Sequence, residues 1–146
     1  MTESREIATL FDKEFFPFPK MRNPSRYAAK GIKRADIHNR KKEFFLYLIR
    51  NPITGLCKIG ITENLPRRLK ELQTQSGCNL ELIHGISTFP NLLVGIAEEY
   101  IHDQVLPHRR VSGEWFDIPA PCAQLIMQLA FEKVIMTHHI ACLDEI

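Results

Sequence analysis

The sequence predicts an α+β fold, a three-stranded antiparallel sheet flanked by helices, with a basic N-terminal extension and a C-terminal helix. Two observations carry the sheet. Apolar runs over 44–50 and 56–62 flank NPITG, a turn with Pro52 and Gly55 in turn-favoured places, and a third run, 80–86, alternates apolar residues with Glu81, His84 and Gly85. A third observation carries the helices: between and after these runs, apolar residues recur at helical spacing.

The elements follow in order. Residues 6–16 suit a short helix with Ile7, Leu10, Phe11 and Phe15 on one side, and PFPKMRNPS breaks it with three prolines. A second, basic helix is expected over 26–38. Phe11, Phe15, Phe16 and Phe18 suggest that this extension packs on the domain body or on a protein partner. After the hairpin, Asn64 is placed to cap a helix carrying Pro66 in its first turn and Leu65, Leu69 and Leu72 on one face, with Gly77 ending it. Asn91 is placed to cap a second helix reaching about Val105, which Pro107 stops. GEWFDI, 113–118, reads as a short strand or strand-like return, and 122–136 as a last helix. The chain thus divides into an extension (1–43), a central domain (44–118) and a C-terminal helix and tail (119–146).

Composition sets the class. With 146 residues, 45% hydrophobic and 25% charged, the chain can bury a core without metal or disulfide support. Cysteines 57, 78, 122 and 142 form no C-x-x-C pair, and Cys57 reads as a core thiol. The charged opening MTESREIATLFDKE lacks a signal-peptide pattern, and no apolar run approaches a membrane span, so a reduced, cytoplasmic protein is expected. Charge is unevenly placed. Nine basic residues lie between Lys20 and Lys42, opposed by Asp36 alone. Such a block beside a less basic domain points to nucleic acid, bound through phosphates by Lys30, Lys33, Arg34, Arg40, Lys41 and Lys42.

The hairpin raises the question of chemistry. In the second strand Lys58, Gly60 and Thr62 share a face, and a glycine inside a strand leaves room for close approach. If Tyr47 faces the same side, and Arg68 bends over the sheet from the following helix, a phenol and two cations surround a hollow suited to phosphate. Positive charge near Tyr47 is expected to lower its pKa toward a useful base, with Arg68 stabilising the phosphoryl oxygens. Glu98 is the candidate metal ligand for Mg²⁺ or Mn²⁺, with His102 one helical turn on to orient it. Arg67 and Glu99 compete for these places. Arg68 is favoured by spacing, Glu98 by its distance from His102. His102 itself reads first as a hydrogen-bonding structural residue.

At these residues the sequence resembles the GIY-YIG nuclease superfamily. Phe45-Leu46-Tyr47 stands for the first signature segment and Lys58-Ile59-Gly60 for the second, with Arg68 as the helical arginine and Glu98 as the metal-binding glutamate. It is most similar to the phage and mobile-element branch, in which a KIG segment, a glutamate helix, a histidine and a GEWF-like motif occur in order. Here the last are Glu98, His102 and Gly113-Glu114-Trp115-Phe116. The resemblance implies phosphodiester cleavage with one divalent metal, Tyr47 acting as general base or its relay. The sequence departs from the pattern at Phe45, where the motif has glycine, and at Lys58, where it has tyrosine. The family's late asparagine has no clear equivalent, and Arg109, Arg110 or Glu114 are placed to compensate. Arg109 and Arg110 are also candidate nucleic-acid contacts. The expected function is a metal-dependent endonuclease acting on DNA rather than RNA. The alternatives are a nucleic-acid-binding module of the same fold and an interaction domain using its aromatic N-terminus.

Overall fold

The computed structural model describes residues 14–22 and 31–144. Strands β1 (Phe45–Arg50) and β2 (Cys57–Thr62) form the expected hairpin, with Tyr47 opposite Gly60 and Ile49 opposite Lys58. Their turn is held by Asn51, whose Oδ1 accepts from the N–H groups of Ile53 and Thr54, while Gly55 takes φ +75°. Strand β3 (Glu81–Ile86) pairs antiparallel with the other side of β1.

The sheet has five strands rather than three. Beyond β2 lie β5 (Trp115–Phe116) and then β4 (Arg110–Ser112), giving the order β3-β1-β2-β5-β4, antiparallel throughout. Gly113, at φ +54°, lets the chain fold back between them. Strands of three and two residues are too short to leave a periodic pattern, which is why β4 is not evident in the sequence.

Helix α1 (Leu65–Ser76) starts and stops as its residues dictate: Asn64 Oδ1 accepts from Arg67 N–H at 3.1 Å, and Gly77 ends the helix at φ +71°. Helix α2 (Leu92–Tyr100) continues into a wide π-turn, Ile101–Val105, before Pro107. Asn91 does not cap α2 with its side chain. Its Nδ2 instead donates to the carbonyls of Asp36 and Lys42, each at 2.8 Å. Helix α3 (Ala120–Asp144) is longer than the expected 122–136.

The sheet is covered on both faces. Tyr47 and Ile49 pack beneath α1 with Leu72 and Leu80. Leu46, Leu48, Cys57 and Ile59 face α2 and α3, against Val94, Ala97, Ile126 and Ala130 among others. Full burial of such side chains is worth about 1.5–3 kcal/mol each. Burial on both faces explains why β1 is a continuous apolar run. Cys57 is a core thiol, its Sγ donating to the Ile118 carbonyl, and burial pushes its pKa up to about 11.

Phe15, Met21 and Ile32 join the main core, and Phe16 and Phe18 stack at 4.5 Å and pack against it. The Tyr100 hydroxyl donates to the Pro19 carbonyl at 2.6 Å. Most of the helix expected over 6–16 lies outside the described residues, as do Arg26 and Lys30. The described part of the expected basic helix is a single 3-10 turn, Arg34–Asp36, so no continuous helix spans 26–38. Among the described residues no helix is long and apolar enough to cross a membrane.

Candidate active site

Gly60 is the floor of the site. A Cβ built there would lie 2.5 Å from the Tyr47 hydroxyl oxygen, 2.7 Å from Tyr47 Cζ and 3.0 Å from Glu114 Oε2. No side chain fits: the missing Cβ leaves a hollow that the Tyr47 hydroxyl and the Glu114 carboxylate fill. Tyr47, fully buried, points its hydroxyl into this hollow and accepts a hydrogen bond from Arg68 Nε at 3.4 Å. Arg68, on the first turns of α1, is braced by Glu71 at 3.2 Å. Arg67 turns to solvent between Glu63 and Glu71, so the choice between the two arginines falls on Arg68.

Lys58 lies on the same face, buried, with its ammonium 3.0 Å from Glu114 Oε2 and 5.6 Å from the centre of the Trp115 ring. Glu114 stands in the turn between β4 and β5. It is the residue whose importance the sequence understated: its motif was visible, but its convergence on Lys58, Gly60 and Tyr47 depends on the β4–β5 hairpin.

Glu98 and His102 reach the site around the edge of β2. Strand β5 pairs only with Cys57 and Lys58, which leaves the outer edge of β2 without a strand partner from Ile59 onward. That edge is satisfied one group at a time. Ile59 N–H donates to the Glu114 carbonyl at 3.2 Å. The Ile59 carbonyl lies 2.6 Å from His102 Nε2, and the Ile61 backbone is close enough to the Glu98 carboxyl to act against the rise in its pKa. An accepting carbonyl places the proton of the neutral imidazole on Nε2. His102 is therefore held by the sheet edge, and packed edge-on against Phe116 at 5.0 Å, rather than bonded to Glu98 as an orienting partner.

The electrostatics differ from the expectation in one respect. The Tyr47 pKa is raised, not lowered: burial outweighs the hydrogen bond and charge of Arg68, and Glu114 and Glu98 push the same way as burial. Burial also pushes the Glu98 carboxyl up to about 8, helped by the negative charges of Glu114 and Glu99 and opposed by Lys58 and the Ile61 N–H. The His102 pKa is lowered, chiefly by burial. Glu99 Oε1 is buried without a hydrogen-bond partner among the described residues. Carboxylates so crowded favour a nearby cation, and Glu98 is the carboxylate of this cluster that could hold a divalent one. Among the described residues no group of three or more His, Cys, Asp or Glu gathers as an all-protein metal cage.

The candidate nucleic-acid residues separate. Lys33 and Lys42 line a cleft of about 270 Å³ with Arg67, Asp36 and Glu63. Arg34, Arg40 and Lys41 are exposed on the same segment, and Arg40 lies 4.5 Å over the Phe89 ring. Arg110 contacts Asp103 at 3.7 Å and the His102 carbonyl at 3.2 Å. Arg109 is spent elsewhere, in two hydrogen bonds to Glu14 at 2.7 and 2.6 Å.

A helix-covered antiparallel sheet with a phenol, two cations and two glutamates gathered about one glycine defines a small α+β domain with a polar, charge-paired cluster at the edge of its sheet. The T5orf172 domain model matches residues 44–129, more than half of the chain, and the chain belongs to that nuclease-associated family. Among curated proteins and solved structures none matches it.

Proposed function

We propose that this protein is a metal-dependent endonuclease of GIY-YIG type that hydrolyses phosphodiester bonds in nucleic acid, DNA before RNA. The observation that carries the reading is the gathering of Tyr47, Lys58, Arg68 and Glu98 about Gly60, from four separate elements. The family's association with nucleases and the basic segment 31–42 support it.

In this reading the scissile phosphate approaches the Tyr47 hydroxyl and the Lys58 ammonium, which the glycine lets come together beside β2. Lys58 and Arg68 take the charge that grows on the phosphoryl oxygens. Burial keeps Tyr47 a neutral phenol in the free protein, so its first task is to orient the attacking water while Arg68 fixes its oxygen, and it relays rather than stores the proton. Glu98 would hold the divalent cation, which supplies Lewis-acid stabilisation of the phosphate when bound. Lys33, Arg34, Arg40, Lys41 and Lys42 contact backbone without reading sequence.

A second reading is a nucleic-acid-binding module without cleavage. It is favoured by the neutralisation of Lys58 by Glu114, which leaves the free site less cationic than its residue types suggest. Plasmid nicking decides between them, measured with Mg²⁺ or Mn²⁺ and with EDTA. The nuclease reading expects metal-dependent nicking by the wild type. It expects Glu98→Gln and Tyr47→Phe to lose about 10²–10⁴-fold while still retaining DNA. DNA retention with no nicking under either metal establishes the binding module instead.

A further inference from the structure

We propose that Glu114 is a positioning residue of this site, and that its carboxylate and the substrate phosphate are alternative partners of Lys58. The inference rests on the nuclease reading and adds a step to it.

An ammonium as deep as Lys58, only 7% exposed, requires a compensating charge. Glu114 supplies it at 3.0 Å. The same Oε2 is the atom a Cβ on Gly60 would meet at 3.0 Å, beside the Tyr47 hydroxyl. Glu114 therefore occupies the place from which a phosphate oxygen would reach both Lys58 and Tyr47. Among the described residues that ion pair is the one the Glu114 side chain makes, and the side chain remains 38% exposed. Its backbone is fixed independently, through the Ile59 N–H to Glu114 carbonyl bond, at a turn opened by Gly113. The side chain can swing to solvent while β5 stays paired.

The exchange conserves charge at Lys58, one carboxylate leaving as one phosphodiester arrives. It also selects. An anion that meets Lys58 alone gains nothing over Glu114, whereas a phosphodiester adds bonds to Tyr47 and Arg68 from its other oxygen positions. Glu114 thus keeps Lys58 in place in the empty site and raises the threshold for occupying it.

The test is duplex affinity in EDTA, where no cleavage occurs, for wild type, Glu114→Gln, Lys58→Met and the double variant. Removing the competing charge is expected to tighten Glu114→Gln binding by about three- to tenfold. In the Lys58→Met background the same change is expected to have little effect, an interaction that a purely structural residue does not produce. In the wild type, the ¹³C carboxyl signal of Glu114 is expected to shift on DNA addition toward that of a solvent-exposed glutamate. Unchanged or weaker binding by Glu114→Gln, or equal tightening in both backgrounds, overturns the inference and leaves the nuclease reading standing. A wild type that binds no nucleic acid at low salt overturns both.

Discussion

At the scale of residues, the site is governed by desolvation more than by pairing. Tyr47 has a guanidinium at its hydroxyl and is still harder to ionise than a free tyrosine, because the sheet and α1 exclude water from it. Glu98 shows the same balance, and there it has a measurable consequence. Its carboxyl holds a proton more tightly in the folded chain, up to about 8 against an ordinary 4.5. The folded state therefore binds more protons than the unfolded one across that window, and stability falls as pH rises through it. Without metal, Glu98→Gln is expected to match the wild type near pH 4.5. Near pH 9 it should exceed it by ~1–4 kcal/mol, a Tm gap of several degrees. Thermal melts at the two pH values in EDTA check this. A gap of equal size at both would show that the buried charge costs nothing. The placement of Tyr47 and Lys58 on one face, with Arg68 reaching over them, was legible in strand alternation and helix spacing. Their ionisation was not, since burial is a property of the packed chain.

At the scale of elements, the informative feature is the outer edge of β2. An unpaired strand edge exposes N–H and C=O groups that must find partners. Here His102, from the π-turn, and the Glu114 carbonyl supply partners for Ile59, so the sheet edge fixes the His102 ring and the β4–β5 turn beside the hollow. The α1 boundaries were readable because Asn64 and Gly77 act within one turn of the backbone they cap. The role of Asn91 is not readable in the same way, because its side-chain partners, Asp36 and Lys42, are some fifty residues away. That clamp pins the basic segment to the start of α2, with Ile37 further accepting from Asn91 N–H at 3.0 Å. Asn91→Ala removes the two side-chain bonds and leaves both carbonyls to find water. It is expected to cost about 2–4 kcal/mol and to speed amide exchange over 36–42 more than in β1. Urea unfolding with hydrogen exchange measures both. Uniform loss of protection across the sheet would mean that Asn91 supports the fold in general and not this segment in particular.

At the scale of the whole molecule, basic residues that are adjacent in composition divide into two populations. Arg109 faces the extension: Glu14 takes its guanidinium in a two-bond fork, His108 Nε2 lies 2.7 Å from the same carboxylate, and Phe15 packs beside the His108 ring. The Arg109 fork lowers the Glu14 pKa, with His108 acting the same way and burial against it. Lys41 and Arg40, by contrast, stand exposed on the segment clamped by Asn91, where a phosphate can approach. Each phosphate contact releases counterions, so removing one lowers the dependence of log K on log salt by about one unit. Lys41→Ala or Arg40→Ala is expected to weaken duplex binding and to flatten that slope by about one, with little change in Tm. Arg109→Ala is expected to do the reverse. It removes both bonds of the Glu14 fork, leaving that carboxylate only His108, and loosens the extension, costing about 2–3 kcal/mol of stability and leaving the salt slope unaltered. Fluorescence anisotropy between 50 and 200 mM salt, with melts on the same variants, separates the two behaviours. A reduced slope for Arg109→Ala would place nucleic acid across the extension face, on the far side of the Glu14 fork, and would redraw the path of the backbone over the molecule.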